Sequence, residues 1–244
     1  MPIDLETPKT EEALLWVPRE SAPGLAQRDL HLWRVPTGTP LSAEELRLRA
    51  CLEMLGQDQR TRAKGMTHGT YRGRYILAQA GLRRILGLYL DAPPASLVFR
   101  YGPAGKPALA DAPPGFEFNL TTAGELALVG ISLGSALGVD CEQVRPRRGL
   151  TAIARRMFER GRAESIAALP EPGALDAFYR AWTALEADAK ADGRGLFRPR
   201  PAGDRPPEVR HCVPARGYIA AVARARLPPL GAWQALELMD DRFR

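Results

Sequence analysis

Three carboxylates stand at spacings that can do chemistry: Asp140 and Glu142 in Gly138-Val139-Asp140-Cys141-Glu142, and Glu186 in a stretch that closes on Lys190. Side chains two apart on an extended segment point to one face. Asp140 and Glu142 are therefore set side by side, while Val139 and Cys141 turn into apolar packing. Like charges so placed repel unless solvent or a cation comes between them, and a hard divalent cation such as Mg²⁺ takes oxygen ligands of this kind. A solvated Asp-x-Glu loop has the same spacing.

The element that must bring Glu186 to that pair is predicted as a helix over 175–191. Leu175, Phe178, Trp182, Leu185 and Ala189 recur at steps of three and four and define one buried stripe. Glu186 sits at its edge, with Lys190 one turn on and Thr183 almost one turn back, so a carboxylate, an ammonium and a hydroxyl share a flank. Gly193 is the expected left-handed stop. Glu followed by Lys four residues later is also a common solvated pair.

Other elements lead up to this site. The alternation around 29–35 predicts a strand, and Ser42 with Glu45 makes a capping-box pattern for a helix through Leu55. A basic stretch carrying Arg62 and Arg74 precedes and enters a helix over 75–88. Gly and Pro make a turn of Tyr101 to Pro107, which contains Lys106. Residues 118–120 and 125–132 read as a hairpin that delivers the chain to Asp140. A helix over 150–170, irregular structure over 197–215 and a strand over 217–225 complete the pattern.

Gly-Val-Asp-Cys-Glu, followed after a helical segment by the run from Phe178 to Leu196, resembles the paired signatures of the 4′-phosphopantetheinyl transferases, in their larger single-chain class. The resemblance covers about Arg60 to Leu196. It implies transfer of the 4′-phosphopantetheine arm of coenzyme A to a serine of an apo acyl or peptidyl carrier protein. It further implies Mg²⁺ held by Asp140, Glu142 and Glu186, with Lys190 stabilising phosphate charge and Glu186 as the candidate to accept the serine proton, directly or through water, so that Glu186 is ligand, base or both. Coenzyme A contacts carried over by motif fall on Arg62, Arg74, Lys106, Thr121, Thr122 and Lys190. Two positions depart from the family. Thr122 stands where it has a histidine for the 3′-phosphate, and Leu185 where it often has lysine. A catalytically weak coenzyme A or carrier-binding module is the alternative those departures suggest.

The resemblance also implies an α+β fold of two lobes related by a pseudo-twofold axis, each a small, mostly antiparallel sheet packed with helices. The divisions expected are an arm over 1–27, a lobe over 28–135 and a second lobe over 136–244 that carries the metal site. With 244 residues and 45% apolar content the chain can bury a substantial core. A net charge of +6 and a pI near 9.5 favour an acidic partner. No nucleic-acid motif accompanies the scattered arginines, so neither nucleic acid nor membrane is expected as a partner. Without a long apolar run or secretory signal, the expected location is the cytoplasm, and the expected state a monomer. Cys51, Cys141 and Cys212 are widely spaced and fit neither a disulfide framework nor a zinc site.

Overall fold

The computed structural model describes residues 13–38 and 44–239. It is α+β, and two sheets hold eight of the ten described strands. The first runs in the order β1 (Val17–Arg19), β10 (Gln234–Leu238), β2 (Leu30–Pro36), β6 (Leu126–Leu133), β5 (Phe116–Ala123). The second has the order β7 (Leu137–Gln143), β9 (Tyr218–Arg224), β8 (Glu208–Cys212). A small hairpin, β3 (Phe99–Tyr101) and β4 (Pro107–Leu109), carries the turn predicted at Lys106.

Alternation along each strand builds the layers. Trp33, Val35, Val129 and Ile131 face Ala78, Leu82, Ile85 and Leu86 of the long helix α3 (Gly69–Leu90). The opposite faces of the same strands, Leu30, Leu32 and Leu128, meet Val139, Cys141, Ala220 and Val222 of the second sheet. The far side of that sheet receives α6 (Glu171–Asp192), flanked by α4 (Leu150–Met157) and α5 (Arg160–Ala167). The order is thus helix, sheet, sheet, helix. Two shorter helices, α1 (Glu44–Met54) and α2 (Gln57–Lys64), pack with α3 around Leu55, Ala63 and Ile76.

Several expectations are met and some are revised. Ser42, the predicted cap, lies outside the described residues. The single helix expected over 150–170 is two, because Phe158 turns extended at φ −114, ψ 159 and lays its ring 5.6 Å from that of Phe178. Gly193 ends α6 in the left-handed region at φ 70, as predicted. The strand β10 had no expectation attached to it. It returns from the end of the chain to lie parallel between β1 and β2, with Leu236 opposite Trp33. Among the described residues no helix is long and apolar enough to cross a membrane, and none of the three cysteines is in a disulfide.

Candidate active site

The strand β7 presents Gly138, Asp140 and Glu142 to α6, since the residues between them, Val139 and Cys141, belong to the core between the sheets. What lets the helix come close is the absence of side chains. A Cβ added at Gly138 would lie 2.0 Å from Ala187 O and 2.5 Å from Ala191 N, and Ala187 and Ala191 rest on Ala221 and Ala223 of β9. With the helix this near, Lys190 Nζ reaches Asp140 Oδ1 at 2.5 Å. Trp182, two turns earlier, hydrogen-bonds Glu142. Thr183 corrects the predicted flank. Its hydroxyl is buried and donates to Tyr179 O at 2.9 Å, as a mid-helix threonine commonly does.

The free edge of β7 is closed by side chains. Asn119 Oδ1 accepts from Val139 N at 2.8 Å, Thr121 Oγ1 from Cys141 N at 3.3 Å, and Lys106 Nζ donates to Leu137 O at 3.1 Å. Thr121 Oγ1 also donates to Asp140 Oδ1 at 3.2 Å. An edge strand left open would expose unpaired main-chain groups. Here those groups instead fix the strand that carries the carboxylates to the face of the first sheet.

Electrostatics in this corner are unbalanced toward negative charge. Asp140 is 4% exposed, and burial raises its pKa against the opposing pull of Lys190 and Thr121. Burial also raises Glu142 and Glu186, and the Asp140 charge pushes both further in the same direction. Among the described residues, no three His, Cys, Asp or Glu side chains are drawn together closely enough, as they stand, to hold a metal ion. The donor chemistry fits one nonetheless. Asp140 Oδ2 is buried with no hydrogen-bond partner, and three carboxyls with raised pKa values have Lys190 as the cationic neighbour common to all, with Arg147 acting on Glu142 alone. A divalent cation would supply the charge this arrangement lacks.

A cleft of roughly 650 Å³ opens beside Glu142, where α3 and the end of β5 face the end of β7, well within the size range of small-molecule sites. Arg62, Arg74, Thr121, Thr122 and Arg145 line it together with Tyr75 and Tyr179. Arg62 lies 5.4 Å from the centre of the Tyr75 ring, and Arg74 pairs with Glu125 at 2.9 Å. Arginines thus stand in the same cleft as Glu142. A cavity of about 790 Å³ on the other side of α3 contains none of the predicted site residues.

Lys106 is not in the wall of that cleft. Its ammonium donates to Ala191 O at 2.7 Å as well as to Leu137 O, at the C-terminal end of α6, where a positive charge complements the helix dipole. Asn119, Trp182 and Gly138 shape the surroundings of the carboxylates, a part that the sequence reading gave to none of them: Asn119 caps Val139 N, Trp182 hydrogen-bonds Glu142, and Gly138 lets α6 approach. The periodic signal was present for Trp182, one turn before Glu186; for Gly138 nothing local marks the close approach.

Residues 136–216, the segment that holds β7 and α6, match the family model of the 4′-phosphopantetheinyl transferase superfamily. Along nearly its whole length the chain is also similar to the 4′-phosphopantetheinyl transferase HetI of a Nostoc species. The two are 31% identical over 228 residues, spanning 93% of this chain and 89% of the relative. This chain belongs to the 4′-phosphopantetheinyl transferase family. The putative 4′-phosphopantetheinyl transferase slr0495 of a Synechocystis species is 30% identical across 68% of this chain and 65% of its own length. The 4′-phosphopantetheinyl transferase Sfp of Bacillus subtilis is 24% identical across 66% and 69%. As a phosphopantetheinyl transferase, the chain is an enzyme of the class that converts carrier proteins to their holo form.

Proposed function

We propose that this transferase takes the 4′-phosphopantetheine arm from coenzyme A, with Mg²⁺, and attaches it to a serine of an acidic acyl or peptidyl carrier protein. The observation that carries the reading is that one cleft is lined both by arginines and by Glu142 of the carboxylate set. Arg62, Arg74 and Arg145 offer cationic groups for the phosphates of the nucleotide, and Glu142 leads from the same cleft to Asp140, Glu186 and Lys190. Phosphoryl transfer depends mainly on positioning and charge neutralisation.

Asp140, Glu142 and Glu186 would hold the metal, which when bound neutralises pyrophosphate charge. Glu186 is suited to take the serine proton, directly or through water, because it is only half buried at the edge of the site; without metal its pKa is raised by burial and by the Asp140 charge, and a cation bound beside it would draw that pKa down. Lys190 carries positive charge beside Asp140 and toward the transferring phosphate. In the step itself, the serine oxygen forms a bond to the β-phosphorus of coenzyme A. The bond from that phosphorus to the bridging oxygen breaks, and adenosine 3′,5′-bisphosphate leaves with the electron pair. Thr122 is exposed in the cleft and can donate a hydrogen bond to the 3′-phosphate, though without the charge of an imidazolium.

Two lobes over 28–135 and 136–244, with an arm over 1–27, belong to the same reading. The approximate twofold is supported by one 22-residue helix in each half, α3 and α6, packed on its own sheet. β10 ties the halves by inserting the end of the chain into the first sheet. A monomer in the cytoplasm is part of this proposal.

Mixing the protein with coenzyme A, Mg²⁺ and an apo-carrier, and weighing the carrier by mass spectrometry, tests the function. Catalytic gain of the arm is expected, with weak discrimination against 3′-dephospho-coenzyme A because Thr122 is uncharged. Binding of coenzyme A without transfer would replace this reading with that of a binding module.

The carrier's approach makes a separate prediction. Arg145, Arg147, Arg148, Arg155 and Arg156 are exposed around the mouth of the site and on α4. Arg147 also stacks 5.5 Å from the Trp182 ring centre, next to Glu142. Raising salt from about 0.05 to 0.5 M shortens the Debye length from about 14 to about 4 Å. It should lower kcat/KM for the carrier through slower association while leaving kcat unchanged. A rate independent of salt in stopped-flow association would remove steering from the account.

A further inference from the structure

Thr121 and Thr122 are neighbours on β5 with opposite orientations, and they divide two tasks. Thr122 is exposed in the cleft, whereas Thr121, though part of the same wall, is buried with its hydroxyl turned toward β7. A hydroxyl has one proton to donate, and that of Thr121 is committed to Asp140 Oδ1 at 3.2 Å. One of its lone pairs is engaged by Cys141 N at 3.3 Å. Lys190 Nζ reaches the same Oδ1 at 2.5 Å. Two donors therefore converge on one oxygen of the carboxylate, and the other, Oδ2, is buried without any hydrogen-bond partner. Leaving a buried acceptor unsatisfied is unfavourable, and this chain does so at the carboxylate that Lys190 of α6 ties to β7.

We propose that Thr121 is a positioning residue: with Lys190 it ties down Oδ1 of Asp140 and so selects Oδ2 as the oxygen presented to a divalent cation. The inference rests on the metal reading of the site. Its physical basis is desymmetrisation. A carboxylate free to rotate offers either oxygen, whereas one whose Oδ1 is held by two donors from opposite elements, β5 and α6, has a fixed plane and a single open oxygen. Partners of this outer kind orient metal ligands, and losing one typically weakens metal binding about tenfold to a hundredfold. Asn119 supplies the contrast within the same edge. It caps Val139 N at 2.8 Å but makes no hydrogen bond to Asp140, so it shares the structural task of Thr121 and not the orienting one.

The test uses Mn²⁺ alone, bound to the full chain and followed by electron paramagnetic resonance, so that turnover is not the readout. Thr121→Val, which keeps shape but has no hydroxyl, should weaken Mn²⁺ binding about tenfold or more, and Thr121→Ser should restore it. Asn119→Ala should lower the melting temperature while changing Mn²⁺ affinity less than about threefold. Equal loss in Asn119→Ala and Thr121→Val would reduce Thr121 to an edge cap and overturn the proposal. So would unchanged affinity in a folded Thr121→Val. If the wild-type protein bound no Mn²⁺, the metal reading itself would fall, and the proposal with it. Wild-type crystals soaked in Mn²⁺ give a measurement that does not depend on a variant folding. An anomalous peak against Asp140 Oδ2, with Thr121 still on Oδ1, is expected; a peak against Oδ1 would overturn the assignment.

Discussion

Glu186→Gln is expected to leave the fold intact and to slow transfer of the arm by about a hundredfold or more, the lower range for loss of a general base. The amide keeps the size and hydrogen-bonding reach of the carboxyl but cannot take a proton at neutral pH. Glu186 is half buried on α6, and burial first, then the Asp140 charge, raises its pKa. The sign of the pH effect follows: a base must be deprotonated, so the wild-type rate should fall as pH is lowered through the pKa of Glu186, which bound Mg²⁺ draws down from its raised metal-free position. In the variant this limb of the profile should vanish. Single-turnover transfer measured across pH, with circular dichroism to check folding, decides the matter. A folded Glu186→Gln protein that transfers at near wild-type rate would end the assignment of Glu186 as base.

Gly138→Ala should be nearly as damaging, although Gly138 touches no substrate. The new methyl would lie 2.0 Å from Ala187 O and 2.5 Å from Ala191 N, both of them main-chain atoms that cannot rotate away. α6 must therefore lift from β7. Overpacking of this kind costs about 1–3 kcal/mol and occasionally more, so a lowered melting temperature is expected. The larger effect is on chemistry. Glu186 and Lys190 ride on the helix while Asp140 stays on the strand, and a displacement of about 1 Å can cost about a hundredfold in rate. Gly161→Ala on α5 is the matched control, since nothing lies within 4 Å of a Cβ there; it should be neutral for transfer. If Gly138→Ala melts lower yet transfers normally at a temperature where it is folded, the helix position does not set the rate.

Much of this site was legible because its information is local. The two-residue period of a strand puts Asp140 and Glu142 on one face whatever the strand pairs with. The helical period puts Glu186 and Lys190 on one flank, and Gly193 is found at φ 70 because a left-handed stop suits glycine. The hairpin of β5 and β6, read from its turn and its apolar alternation, is likewise a property of adjacent residues.

What only the tertiary structure decided are the relations between segments far apart in the chain. β10 adds beside β2 across some two hundred residues, and no local pattern marks a strand for a parallel edge. Lys106 sits in a Gly-Lys-Pro turn that resembles a nucleotide contact, yet its ammonium meets the carbonyls of Leu137 and Ala191, because β7 and α6 end together there. Thr121 was expected as a coenzyme A contact by resemblance, and it does line the cleft. Its hydroxyl turns to Asp140 because β5 lays its face against the open edge of β7. Sequence periodicity fixes which way a side chain points from its own element. Which atom it meets depends on where the other element has packed, and at Gly138 that is set by a side chain the residue does not have.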